Sequence, residues 1–515
     1  MKKTLFMSAW DMDVEKGGVN KVMLRRSYLL KNKKYQPVLL TMDYKPNYKE
    51  IQNELRATGQ LHLDVKILNI FDYYREKFAT DVISEVERQH FEKSRQKFED
   101  DYWVEDAGDH ARYFFNGRYV KYKRWNEDGS LRVVDYFDEN RVRISREEFH
   151  IAGYKIKETL FHPANNKKNQ ERYFTPNGFC FITFWFNYTT GALQRIFLFD
   201  PKFSKALDFK NRQEFQSYWL TELCRLEAVK PIIIVDGAVT ADRVAAVDDE
   251  LVDKVFVLHG NHLVAPYTKG SGFRKAIQPI IDAIPKGYAT VVLTDAQRQD
   301  LHSEVGNRGN IHVIPNTVYS NEPQVDKNPF QLAMVCRLVP AKRVEHAIKA
   351  IHSLIEDIPE IQLTIYGIGD EEENLQKLIA DCQLEAAVKL MGYTNKTDEI
   401  YRSSAALVMT SEAEGLSLCM QESFLNGTPV ISYDINYGPA QYIVNDVNGY
   451  LVENGQIDAL AEAMKKIILD PQHASKLGAA AQKLAEEQFD EQTYIKRWED
   501  VLNFAASKGP KLTII

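Results

Sequence analysis

Short apolar runs recur along this chain in two series, and a segment of helical character follows most of them. The first series opens with TLFMSAW (4–10), PVLLTMD (37–43) and DVKILNI (64–70), then resumes with PIIIVDG (231–237), KVFVLHG (254–260), ATVVLTD (289–295) and IHVIPN (311–316). The second runs through FQLAMVCRL (330–338), IQLTIYGIGD (361–370), VKLMGY (388–393), AALVMTS (405–411) and PVISYD (429–434). Apolar runs of this length alternating with helices specify parallel, doubly wound sheets. At 515 residues the chain is too long for one core, so two such domains are expected. Facing each other, they would bind a ligand in the cleft at the carboxyl ends of their strands.

Between the two parts of the first series the texture changes. ARYFFNGRYVKYKRW, SLRVVDYF, CFITFWFNY and ALQRIFLFD are aromatic, basic and alternating. The turn signals Asn116-Gly117, Asp128-Gly129, Asn177-Gly178 and Thr190-Gly191 fall between them. That pattern predicts an antiparallel meander inserted into the first domain. The expected division is residues 1–100 with 205–318 for the N-terminal domain, 101–204 for the insert, 319–490 for the C-terminal domain, and 491–515 for a helix crossing back. Residues 111–124 carry Arg112, Arg118, Lys121, Lys123 and Arg124 and no acid, so a basic strip that attracts a polyanion is expected there.

Composition narrows the function classes. A net charge of −7 argues against a globally basic nucleic-acid binder. Five scattered cysteines without a C-x-x-C point to a reducing cytosol rather than a disulfide framework. The amino terminus has too short an apolar run for a signal peptide, and no stretch is long enough to span a bilayer, so any membrane association is expected to be peripheral.

Candidate chemistry falls at predicted strand ends. Gly17-Gly18 opens a helix, where backbone N–H groups can approach an anion. His259 and His262 lie in LHGNH without a third metal ligand nearby. Arg337 and Lys342 share one short loop and together suit a diphosphate, one as a bidentate fork and the other as a point charge. Gly367 and Gly369 in YGIGD would let a ligand approach the backbone. In SEAEGLSLCMQES, Gly415 to Leu418 form an expected helix N-terminus that favours negative charge, with Glu414 before it and Glu422 about two turns along. Asp11-Met12-Asp13 has the D-x-D spacing of a metal–diphosphate site. It follows a strand of a different architecture, however, and the Arg337–Lys342 loop already supplies positive charge, so no metal is expected.

Taken together, Arg337 and Lys342, YGIGD, MGY and the E-x7-E spacing of Glu414 and Glu422 resemble glycosyltransferase family four, retaining enzymes of GT-B fold. MDVEKGGVN, LTMDYKPNY and the β-rich insert make the chain similar, more narrowly, to the wall teichoic acid alpha-glycosyltransferases. The resemblance implies a UDP-sugar donor, no metal, retention of configuration and an anionic polyol-phosphate acceptor. It also implies inserts that join subunits into a homo-oligomer, a trimer. By motif, Glu422 binds the ribose, Glu414 the hexose, and Arg337 with Lys342 the diphosphate. Gly17, Gly367, Tyr393, Leu416, Ser417 and Leu418 complete the donor site, while Gly18 leaves room beside the acceptor. His259, directly ending its strand, fits the active-site histidine better than His262. Ser417 stands where many relatives carry Gly, but its N–H remains free.

Retention needs either a carboxylate nucleophile, for which Glu414 is the obvious candidate, or front-face attack assisted by the leaving phosphate. The second is favoured, because the motif role of Glu414 is a hydroxyl contact. Two other readings are a transferase or phosphorylase of the same fold acting on a small sugar or protein acceptor, and a non-catalytic polyanion- or carbohydrate-binding protein.

Overall fold

The computed structural model describes residues 2–15, 17–80, 85–320 and 325–508. The tail beyond 508 lies outside the described residues. Every apolar run of the first series is a strand of one parallel seven-stranded sheet. Its order is Ile311–Val313, Ala289–Val292, Asp253–Leu258, Ile232–Val235, Lys3–Ala9, Tyr35–Thr41, Lys66–Asn69. The five runs of the second series, joined by an unforeseen strand Gly449–Val452, give a parallel six-stranded sheet in the order Val388–Leu390, Gln362–Tyr366, Asn328–Val335, Ser404–Met409, Val430–Tyr433, Gly449–Val452. Central strands such as Ile232–Val235 and Ser404–Met409 are buried at every position, as helices on both faces require.

In each sheet the first strand of the series sits mid-sheet, and the chain winds away from it in both directions. The switch points therefore lie between Lys3–Ala9 and Ile232–Val235 in one domain, and between Asn328–Val335 and Ser404–Met409 in the other. Loops leaving the carboxyl ends of these strands diverge, opening a crevice at each switch point.

Ten antiparallel strands from Trp103–Asp106 to Leu207–Phe209 form a third sheet in unbroken sequence order. It extends past the expected boundary at 204, because Leu207–Phe209 pairs with Leu193–Leu198 as an edge strand. Asn116 (φ 48°) and Gly117 (φ 74°) both take the left-handed backbone that a two-residue hairpin turn requires. The later strands are rooted in the main core. Phe181, Ile182, Phe184, Ile196 and Phe209 pack with Phe6, Phe71, Trp219 and Phe256. Only the first half projects around a small core of its own, built on Tyr113, Trp125, Leu131 and Val134.

The expected bare basic strip is corrected here. Lys121 and Lys123 point to the covered face, 6% and 2% exposed, and both ammoniums meet the Glu99 carboxylate at 2.6 Å. Lys121 also lies 4.0 Å from the Tyr102 ring centroid. Arg112 pairs with Glu105, Arg118 with Glu139 and Arg124 with Asp109 on the outer surface. The acids missing from residues 111–124 come from neighbouring strands and turns, which local sequence does not reveal.

The helix Glu491–Lys508 leaves the C-terminal half and packs on the N-terminal sheet, burying Tyr494, Trp498, Val501 and Leu502 in its core. Among the described residues, no helix is long and apolar enough to cross a membrane.

Candidate active site

Both switch points deliver polar loops to the same cleft. From the C-terminal domain, the loop after Asn328–Val335 carries Arg337, which is exposed, and Lys342. Lys342 forms an ion pair with Glu414, whose Oε1 also accepts from Ser411 Oγ at 2.8 Å. Burial works against the Lys342 charge, but the Glu414 carboxylate outweighs it and holds the ammonium above its ordinary value. The two loops are stitched together: Thr410 Oγ1 donates to Lys342 O at 2.7 Å, and the Arg343 guanidinium donates to the Thr410 and Ser411 carbonyls at 2.8 Å. Cation and carboxylate are thus placed by one rigid unit.

The helix after Glu414 is Leu418–Leu425, with extended Ser417 as its N-cap. Glu422 therefore stands about one turn in rather than the two expected, because residues 415–417 are not yet helical. Glu422 is 6% exposed; it accepts from Tyr401 OH at 3.2 Å and pairs with Lys21 of the other domain. Burial opposes the Lys21 charge, and Glu422 more than restores it.

Gly367 and Gly369 have a structural purpose that their spacing did not announce. A Cβ on Gly367 would lie 1.7 Å from the Cys336 carbonyl oxygen, and one on Gly369 would lie 2.1 Å from that of Leu338. The close approach is made by the Arg337 loop itself, so these glycines seat the cationic loop. Tyr393 follows the next strand and is 39% exposed.

From the N-terminal domain, Gly18 (φ 61°) caps the helix Val19–Leu29, and there is open space around both Gly17 and Gly18. Asp11 and Asp13 are bridged by Lys45, at 3.3 and 2.7 Å. Among the described residues, no three His, Cys, Asp or Glu side chains cluster as metal ligands.

The two histidines separate clearly. His259 follows Asp253–Leu258 and retains some exposure, with Nε2 2.8 Å from Asp236 Oδ1. His262 is fully buried, stacked parallel on Tyr437 with centroids 5.7 Å apart, and burial pushes its imidazole down to about 4. It cements the domain contact. Asn261 Nδ2 donates to Asn436 O at 3.1 Å, which also accepts from Glu414 N at 3.1 Å. Gly415 fits against the other domain: a Cβ there would lie 2.1 Å from His259 O and 3.0 Å from Gly260 Cα. Gly415→Ala is therefore expected to hold the domains apart. Its melting temperature should be near that of the unaltered protein, while kcat falls about 100-fold, the size of effect an ångström of misplacement produces.

Sequence reasoning missed Lys21, Tyr401, Asp236 and Arg26, whose buried guanidinium pairs with Asp236. Lys21 and Arg26 sit inside an ordinary amphipathic helix pattern, and Asp236 only ends the run PIIIVDG. Nothing local marks them.

The family model for glycosyl transferases group 1 matches residues 316–484, the part that carries Arg337, Lys342, Glu414 and Glu422. The crystal structure of TarM superposes with a TM-score of 0.88 at 27% identity, covering 98% of this chain and 99% of that one. The chain is a glycosyltransferase of GT-B fold.

This glycosyltransferase is 28% identical over 511 residues to the poly(ribitol-phosphate) alpha-N-acetylglucosaminyltransferase of Staphylococcus aureus (strain COL), covering 97% of this chain and 100% of the relative. It is 25% identical over 386 residues to the poly(glycerol-phosphate) alpha-glucosyltransferase of Bacillus subtilis (strain 168), over 74% of this chain and 57% of that one. The G117R mutant of S. aureus TarM, in complex with fondaparinux, alpha-GlcNAc-glycerol and UDP, aligns with a TM-score of 0.87 at 27% identity, over 97% and 100% of the two chains. The glycosyltransferase thus resembles the wall teichoic acid alpha-glycosyltransferases over nearly its whole length, insert included.

Proposed function

We propose that this enzyme transfers glucose or N-acetylglucosamine from a UDP-sugar, in alpha linkage and with retention, to hydroxyls of a poly(glycerol phosphate) or poly(ribitol phosphate) chain. The full-length likeness to one polyol-phosphate alpha-transferase, and the partial likeness to a second, carry this reading. The placement of cations and carboxylates at both switch points agrees with it. As the anomeric bond breaks, negative charge grows on the departing UDP. Arg337, Lys342 and the N–H groups of Leu416, Ser417 and Leu418 are the groups we assign to stabilise it. Glu422 takes the ribose hydroxyls, and Glu414 orients the hexose for front-face attack in which the leaving phosphate accepts the acceptor's proton. His259, which keeps some exposure, is the histidine of the active site.

The reaction we propose needs no metal. Lys45 already compensates the Asp11–Asp13 pair. The enzyme works in the cytoplasm at the inner face of the membrane, and the five cysteines, all free, suit that compartment. The insert joins three subunits. Trp103, 82% exposed on the first edge strand, and Phe98, 67% exposed beside it, are apolar surface consistent with a partner. Sedimentation of the purified protein as a monomer would refute the trimer.

UDP release from each donor with each purified polymer, in the presence of EDTA, tests the whole reading. Release that depends on one donor and one polymer is expected; no release with any pair refutes it. In the same assay Arg337→Ala and Lys342→Ala should each weaken UDP-sugar binding by about 1.5–3 kcal/mol, the value of a charge-assisted contact. Unchanged affinity and turnover in both would refute the diphosphate assignment.

A further inference from the structure

A carboxylate that the reaction does not touch stands directly behind the active-site histidine. Asp236 ends the central strand Ile232–Val235, and its side chain is completely buried. Its Oδ1 meets His259 Nε2 at 2.8 Å on one side and the guanidinium of Arg26, equally buried, on the other. The Arg26 guanidinium lies 4.5 Å from the ring centroid of Trp498, on the helix that returns from the C-terminal half. A buried ion pair of this kind stabilises a fold no better than well-packed apolar residues would. Its place at a switch point, one contact from the cleft, points to another role.

We propose that Asp236, backed by Arg26 and by Trp498 of the returning helix, is a positioning residue that fixes the ring orientation and tautomer of His259. With the Nε2 proton donated to Asp236, Nδ1 is the only polar ring atom left to meet the donor sugar, and in the neutral ring it acts as an acceptor. Burial alone would raise the Asp236 carboxyl, but Arg26 and His259 outweigh it and hold it below the usual carboxylate range, so the acceptor for Nε2–H is a carboxylate. A carboxylate behind an imidazole is a known way of selecting one tautomer, and its amide substitute selects the other. The proposal rests on the reading that His259 faces the donor.

Three measurements test it. Asp236→Asn should lower kcat at least ~10-fold while KM for the UDP-sugar changes by less than about threefold, a split that a purely structural pair would not produce. Placed in a His259→Gln background, the same change should cause no further loss, because both act through one ring. The imidazole 15N spectrum of the unaltered protein, with His259 assigned by its absence in His259→Gln, should show the Nε2–H tautomer; this holds even if Asp236→Asn folds poorly. An Nδ1–H tautomer, or losses that multiply in the double variant, would overturn the proposal. Full activity in His259→Gln would refute the placement of His259 at the donor. An inactive His259→Gln beside a fully active Asp236→Asn would refute the positioning role alone.

Discussion

Glu414→Gln is expected to stop sugar transfer while leaving UDP binding nearly intact. The Glu414 backbone is fixed from both sides, donating to Asn436 O at 3.1 Å and accepting from Tyr437 N at 2.8 Å, so an isosteric amide stays in place. What it loses is the negative charge opposite Lys342 and the capacity to accept from a sugar hydroxyl at both oxygens. Loss of one preorganised contact to a transition state lowers kcat about 10²–10³-fold, and that is the expected fall. Glu422→Ala should behave in the opposite sense. It removes the group we assign to the ribose and leaves Lys21, 46% exposed, to resolvate, so on that assignment UDP affinity falls by about 1.5–3 kcal/mol while the folded state persists. Isothermal titration with UDP beside single-turnover transfer separates the two. If Glu422→Ala abolishes transfer with unchanged UDP affinity, the roles are exchanged. A glycosyl adduct trapped on Glu414 would refute front-face attack.

The second large effect concerns stability. Glu99 is the shared counter-ion of two nearly buried ammoniums in the half of the meander with the smallest core. Glu99→Ala removes the carboxylate that both ammoniums share and should destabilise that half by about 3–5 kcal/mol, whereas Arg118→Ala, in an exposed pair, should cost less than about 1 kcal/mol. Burial would raise the Glu99 carboxyl, but hydrogen bonds and charge from Lys121 and Lys123 outweigh it and hold it low. Its contribution is therefore fully present above the ordinary glutamate range and disappears as pH falls through the depressed value. Hydrogen exchange of strands 110–137 at falling pH should show this half opening first, and Glu99→Gln should remove that dependence. Equal protection in both proteins at every pH would refute the assignment.

The parallel sheets were legible because the central runs, such as Ile232–Val235 and Ser404–Met409, are buried at every position and so read as continuous apolar segments, which needs no knowledge of distant residues. The meander was legible for a similar reason: Asn116-Gly117 and the other turn pairs announce hairpins locally. The placement of Arg337, Lys342 and Glu414 after strands, and of Glu422 in the helix that follows, was legible because each lies within a few residues of an apolar run. Their counter-ions were not. Lys21 lies 401 residues from Glu422, and no local pattern connects them. The strip at 111–124 failed for the same reason: alternation says that Lys121 and Lys123 share a face, but the segment around Glu99 decides that the face is covered.

The meander's continuity has a geometric consequence. Ten strands at about 4.8 Å spacing set its first strand roughly 43 Å from its last, across the hydrogen-bonding direction. With the usual twist of about 20–25° per pair, those strands are rotated by roughly 200° relative to one another. The face that is anchored in the enzyme body at one end therefore looks nearly backwards at the other. A chain molecule following a single face would travel a half-turn spiral, not a straight track. Anything lying along one face from the tip toward the enzyme body would therefore be rolled by about half a turn while still advancing along the same axis.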